Sequence, residues 1–220
     1  LNNICKTYGQ WAIKTADLSN INLKIEEGEF VAIVGFTGSG KTTLVNLING
    51  LLAPTSGTIL FKGEPVVGTS HERGVIFQNY SLLPWLTVEQ NVYMAVKEGF
   101  PKRSKSDLKT IVSDYVEMVS LTPAIHKRPN ELSGGMRQRV AVARALINDP
   151  AVIFADEPSG NLDSKSAENL HHLFLKLREE MGQTFVIVTH NKKLAEMADR
   201  TLEMKDGLMI EEIINTPIQR

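Results

Sequence analysis

An internal disulfide is closed to this chain. Its 220 residues include a single cysteine, Cys5, which fits a reducing compartment. Cys5 sits near one chain end in an expected strand and reads as a small, partly buried hydrophobe, not a reactive thiol. No apolar run approaches the roughly 18–20 residues that cross a bilayer as a helix. The chain is therefore expected to be soluble, with no direct membrane insertion, which leaves a membrane-embedded partner open. The opening LNNICKTYG has no basic region followed by an apolar core, so no secretion signal is expected. It does not begin with Met and reads as a trimmed start. Excess charge is missing as well: 24 Lys and Arg against 25 Asp and Glu give a net charge of −1. That argues against nucleic acid as a partner. Repeats and low-complexity tracts are absent too. What remains is an ordinary globular composition, 42% hydrophobic and 22% charged. The length suits one large domain, or a domain with a subdomain, around a substantial core.

Hydrophobic patterning predicts an α/β fold. INLKI (21–25) alternates like a strand. FVAIV (30–34), AVIFA (151–155) and TFVIV (184–188) are continuous apolar runs, as in strands buried on both faces. TILF (58–61) and GVIF (74–77) read as shorter strands. Thr42 to Asn49 reads as a helix that Gly50 ends. Thr87 to Leu121 reads as two helices broken at Gly99 and Pro101. Their apolar faces come from Val92, Met94, Val96, Ile111, Tyr115, Val116 and Met118, and their polar positions include Asn91, Lys97, Lys102 and Lys105. Met136, Val140, Ala143 and Ile147 mark one face of a further helix, and Ala167, Leu170, Phe174, Leu177 and Met181 another. TLEMKDGLMIEE predicts a hairpin turning at Asp206-Gly207. Strands alternating with helices indicate an α/β core. The mostly helical stretch from 79 to 145 is expected to form a subdomain inserted between the core segments 1–78 and 146–220.

Three motifs carry chemistry. GFTGSGKT (35–42) matches G-x-x-x-x-G-K-[ST] between a strand and a helix. Its glycines let backbone N–H groups turn inward around phosphate oxygens, and the helix N-terminus adds partial positive charge. The expected phosphate-binding residues are Gly35, Phe36, Thr37, Gly38, Ser39, Gly40, Lys41, Thr42 and Thr43. Lys41 is placed to reach the β- and γ-phosphates and Thr42 to hold Mg²⁺. AVIFADE (151–157) delivers Asp156 and Glu157 at the end of a buried strand. Asp156 is placed to bind Mg²⁺ through water, and Glu157 to polarise an attacking water. Between the two motifs, Ser133, Gly134 and Gly135 open an amphipathic helix. That is a second anion-ready helix start, and one nucleotide does not need two from one chain. Two chains packed head-to-tail would share a nucleotide, one giving the phosphate loop and the other this cap.

LSGGMRQR (132–139) resembles the signature of ATP-binding cassette (ABC) ATPases, the motor subunits of ABC transporters. The phosphate loop and AVIFADE resemble that family's Walker A and Walker B motifs, in the same order. The resemblance covers essentially the whole chain. It implies a P-loop NTPase core of ABC type, with an inserted helical subdomain and an N-terminal antiparallel β region. It also implies ATP and Mg²⁺ as cofactors. Further roles follow from it: Gln78 as a glutamine touching Mg²⁺ and the water, Asp163 in SGNLD as a residue crossing the dimer interface, His190 as a γ-phosphate contact, and Tyr8 in KTYG as an aromatic stacking on adenine. The implied partners are a second ATPase subunit and an integral membrane permease. The implied location is the cytoplasmic face of the cell membrane, held there through the permease.

The subfamily resemblance is divided. RGVIFQNYSLLPWLTVEQNV and the stretch through HKRPNELSGGMRQRVAVARAL resemble ATPases of nitrate-, sulfonate- and taurine-type importers. From Ser159 onward the chain resembles lipoprotein-release and macrolide-export ATPases. A divergent natural member and a chimera both fit. Soluble ABC proteins of DNA repair or translation are a different class, and they carry long insertions or two cassettes. A nucleotide-binding module without turnover is argued against by Gln78, Glu157 and His190 together. His171 and His172 share a predicted helix with no ligand-type residue at i+4, so they are not expected to bind metal. His71 and His126 are expected in solvated loops. Trp85 in LLPWL reads either as core or as a surface for a partner's helix.

Overall fold

The computed structural model describes residues 1–9 and 15–215. Strands β1 (Asn2–Tyr8) and β2 (Thr15–Ile21) pair antiparallel. β3 (Phe30–Gly35) runs into helix α1 (Lys41–Ile48). β4 (Ser56–Thr58) joins the free edge of β1, and β5 (Leu60–Phe61) pairs with β6 (Glu64–Pro65). After β7 (Arg73–Ile76) come α2 (Val88–Gly99), α3 (Lys105–Met118) and α4 (Gly134–Leu146). β8 (Val152–Asp156), α5 (Ser164–Met181), β9 (Thr184–Val188), α6 (Lys192–Glu196), β10 (Arg200–Lys205) and β11 (Leu208–Ile214) complete the order.

The central sheet has the order β11-β10-β3-β9-β8-β7. Its strands pair in parallel, except that β11 runs antiparallel to β10. Each face carries its own core, which explains the continuous apolar runs. Along β3, Phe30 and Ala32 face one cluster with Ile76, Val140, Phe174 and Phe185 under the helices. Val31 and Ile33 face the other, with Leu44 of α1, Ile4, Leu18 and Phe154. The parallel strands all end on one edge, so the loops after β3, β7, β8 and β9 converge there. Open α/β sheets place ligands at that edge.

The structure departs from the patterning in five places. INLKI is not a ladder strand, because β2 ends at Ile21. Ile21 and Leu23 are buried, but Leu23 exchanges hydrogen bonds only with Leu1. The alternation there reports burial, not pairing. TILF splits at Ile59, whose carbonyl accepts from Val66, so its halves belong to different sheets. Asn91 is fully buried. Its Oδ1 accepts from Leu83 N–H, and its Nδ2 donates to the carbonyls of Leu83, Leu86 and Thr87. Met94 and Met181, both expected on apolar helix faces, are exposed. The Asp206-Gly207 turn forms as predicted, with φ of 49° and 75°, the left-handed pair that a tight two-residue hairpin requires.

Candidate nucleotide site

The convergent edge holds a cleft of about 430 Å³. Thr37, Gly38, Gly40, Lys41, Thr42 and Thr43 line it on one side, and Gln78, Asp156, Glu157 and His190 on the other. Gly38 and Gly40 have φ of 83° and 95°, a region that costs any residue with a Cβ. A Cβ on Gly40 would lie 2.8 Å from the Asp17 carbonyl oxygen and 2.6 Å from Leu18 Cδ2. A Cβ on Gly38 would meet nothing within 4 Å, so that glycine faces open space where a ligand fits. The first-turn N–H groups of α1 are those a helix leaves without intrahelical partners. Lys41 Nζ donates to the carbonyls of Gly35 (2.8 Å) and Phe36 (2.9 Å) and contacts Ser39 Oγ (3.4 Å). The Phe36 side chain points outward, 80% exposed.

Opposite the loop, the Thr42 hydroxyl donates to Asp156 Oδ2 at 3.1 Å. Burial pushes the Asp156 carboxyl above its usual range. The Thr42 hydrogen bond opposes that rise, the Glu157 charge adds to it, and Lys41 counters it. A divalent cation would favour the ionised form. Thr42, Asp156 and the Gln78 amide offer only oxygens, the donor type Mg²⁺ takes, so these residues fit the expected ion. Among the described residues, no cluster of three or more His, Cys, Asp or Glu forms a separate metal site. Glu157 follows β8 in the left-handed region, φ 46°. Its Oε2 lies 2.8 Å from His190 Nδ1 and also accepts from the His190 backbone N–H at 3.3 Å. A carboxylate aimed into a phosphate-loop cleft and tied to a histidine has the parts for water-mediated phosphoryl chemistry.

The family model described as ABC transporter matches residues 18–160. The chain belongs to the ABC transporter family. It is an ABC transporter ATPase subunit, an enzyme that binds and hydrolyses ATP. It is similar to the nitrate import ATP-binding protein NrtD of Synechococcus elongatus, 42% identical over 206 residues, covering 92% of this chain and 75% of that protein. It is also similar to the lipoprotein-releasing system ATP-binding protein LolD of Cytophaga hutchinsonii, 43% identical over 218 residues, covering 94% and 96%. Among solved structures, it is similar to the dimeric ATP-binding cassette MJ0796 in a post-hydrolysis state bound to ADP and Pi. That pair is 36% identical, with a TM-score of 0.88 over 99% of both chains. The P-loop NTPase fold of ABC type is thereby shown.

The remaining expected residues of this ABC subunit lie outside the cleft. Ser133 caps α4, its hydroxyl accepting from Met136 N–H at 3.2 Å. Gly134 and Gly135 pack against Leu162, Tyr80 and Ser166. Asp163 caps α5 by accepting from Ser166 N–H at 2.9 Å. Tyr8 is exposed on β1 with Lys6 Nζ 5.3 Å from its ring centroid. Ser133, Asp163 and Tyr8 do not line the phosphate-loop cleft. His171 is buried, its Nε2 3.1 Å from Ser159 Oγ in the loop before α5. Trp85 is 65% exposed, which favours the surface reading over core.

Sequence reading missed two lining residues, Val188 at the end of β9 and Asp17. No motif flags Asp17. Its place depends on a register shift between β1 and β2: Lys6 pairs with Leu18, but Thr7 pairs with Ala16. Asp17 is the extra residue of that bulge.

Proposed function

We propose that this ABC subunit drives a separate membrane permease by binding Mg-ATP in the phosphate-loop cleft and closing on a second cassette. The carrying observation is the shared cleft: Lys41 and Thr42 on one side, Asp156, Glu157 and His190 on the other. Gly35 to Thr43 cradle the phosphates. Lys41 exchanges its loop carbonyls for β- and γ-phosphate oxygens. Thr42, Asp156 and Gln78 hold Mg²⁺, which supplies charge neutralisation of the phosphates when bound. Glu157 takes a proton from the attacking water, and His190 positions Glu157 and meets the γ-phosphate. Tyr8 stacks on the adenine. Residues 1–220 act as one cassette, with 79–145 as the helical subdomain that presents Ser133, Gly134 and Gly135 to the partner's nucleotide. Asp163 faces the dimer boundary. That Ser133 does not line its own cleft supports this composite site.

Phe77 and Trp85, both exposed beside the Gln78 loop, offer a surface for a permease helix. No helix among the described residues is long and apolar enough to cross a membrane, so a permease would hold the subunit at the cytoplasmic face. The cargo we favour is a nitrate- or sulfonate-type anion, supported by the likeness of residues 73–146 to that importer class. The likeness to LolD and the sequence from Ser159 onward support lipoprotein release or macrolide export instead. Pull-down of the wild-type chain from native membrane, with identification of the bound permease, tests both levels. An anion-import permease is the expected result. A lipoprotein-release permease would reverse the cargo, and recovery without any membrane protein would overturn the transport reading.

A further inference from the structure

Asp17 presents three independent features. It is the extra residue of a β-bulge, the pairing stepping from Lys6↔Leu18 to Thr7↔Ala16. Bulges re-aim side chains beside active sites. The residue lines the nucleotide cleft. Its Oδ2 is buried and makes no hydrogen bond. A buried acceptor left without a donor is costly.

The sheet order fixes which end of the cleft Asp17 occupies. Gln78, Glu157 and His190 follow β7, β8 and β9, all on one side of β3. Asp17 lies on the other flank. Its neighbour Ser19 donates its N–H to the Gly207 carbonyl, and Gly207 follows β10, on the opposite side of β3 from β9. Asp17 also packs directly against Gly40, at the start of α1. With hydrolysis at the Glu157 flank, the nucleoside end of the ligand falls on the Asp17 flank. Tyr8 is on the neighbouring strand, paired with Thr15, two residues before Asp17.

Resting on the nucleotide reading of this cleft, we infer that Asp17 binds the ribose hydroxyls of the nucleotide and makes the site selective for ribonucleotides. A carboxylate only accepts hydrogen bonds. Phosphates offer no donors and repel it. The donors on the nucleoside side are the sugar hydroxyls and the base N–H groups. The sugar is the part between a base near Tyr8 and a triphosphate on the loop, which is the position of Asp17. A carboxylate on a ribose hydroxyl is the arrangement that dinucleotide-binding folds also use.

The test is a titration of the wild-type chain with Mg²⁺ and three ligands: ATP, 2′,3′-dideoxy-ATP and inosine triphosphate, which lacks the base amino group. ATP is expected to bind about tenfold or more tighter than dideoxy-ATP. Asp17→Ala is expected to bring those two to parity while dideoxy-ATP still binds. Asp17→Asn, which keeps the shape and one acceptor, is expected to retain part of the preference. Equal wild-type affinity for ATP and dideoxy-ATP would overturn the inference. So would a variant that erases only the difference between ATP and inosine triphosphate, which would assign Asp17 to the base. Failure of every nucleotide to bind the wild type would instead overturn the nucleotide reading of the cleft itself.

Discussion

Lys41 is folded back on the loop that carries it. The residue is nine-tenths buried and its ammonium is held by the Gly35 and Phe36 carbonyls, so the charge is already in the cradle before a phosphate arrives. Lys41→Ala removes that charge-assisted donor, a contact that contributes about 1.5–3 kcal/mol. ATP affinity is expected to fall about 10–100-fold, measured by titration. Unchanged affinity would move the phosphates elsewhere. The lysine was legible because the loop's chemistry is local: glycines, lysine and hydroxyl are adjacent in the chain. Asp17 was not, because its position follows from how β1 and β2 register. Asn91 was misread for a related reason. Its helical position reads as surface, but the turn 83–87 folds over it and supplies all its partners.

At the scale of elements, α5 and the loop before it are joined by one buried polar contact, His171 Nε2 to Ser159 Oγ at 3.1 Å. Burial holds the His171 imidazole well below its ordinary value, to about 4. Neighbouring His172 and Lys193 contribute to that fall, and Glu168 opposes it. The unfolded chain titrates His171 near 6.5. Between these values the unfolded state binds a proton that the folded state does not, so stability falls as pH drops through that window. Above pH 6.5 the contribution is fully present, on the order of 3 kcal/mol relative to pH below 4. His171→Leu also leaves Ser159 without its partner, which lowers stability at every pH. The distinguishing result is the slope: urea midpoints at pH 7.5 and pH 5 should differ less in His171→Leu than in wild type. An equal drop in both would assign the acid sensitivity to other groups. The same scale shows where patterning succeeds. Phe30–Gly35, Val152–Asp156 and Thr184–Val188 sit between two cores, so every residue type in them answers to burial. INLKI is buried on one side only and lacks a neighbouring strand beyond Leu1, a fact that alternation cannot encode.

The whole molecule is half of a composite site if the Ser133 cap serves a partner. Ser133→Arg places a bulky cation at that cap, and Lys41→Ala empties the phosphate loop. Each variant alone is expected to be inactive. Mixed, a head-to-tail pair carries both lesions in one site and neither in the other. Phosphate release should therefore return to a fraction of the wild-type rate. No recovery at any ratio would remove the main support for sharing. The second anion-ready helix start at Ser133 made such an arrangement legible in the sequence. The fold adds that Ser133 does not line its own cleft, which favours the sharing.

Glu157→Gln tests the coupling of chemistry to assembly. Gln keeps the size of Glu and can still accept from the His190 N–H, now held at 3.3 Å. It cannot take a proton from water. A general base contributes roughly 10²–10⁴-fold, so turnover should fall by about that factor in a phosphate-release assay. Binding should survive, because Lys41, Thr42 and Asp156 are untouched. The lost negative charge also lowers repulsion near the γ-phosphate. Two subunits would then close on two nucleotides and stay closed, since reopening waits on hydrolysis. The variant should elute as a dimer with Mg-ATP and as a monomer with ADP, while wild type dimerises only transiently. Wild-type turnover would show that Glu157 is not the base. An inactive variant that stays monomeric at saturating ATP would show that closure depends on a permease, placing the dimer contact in the assembled transporter and not in the cassette alone.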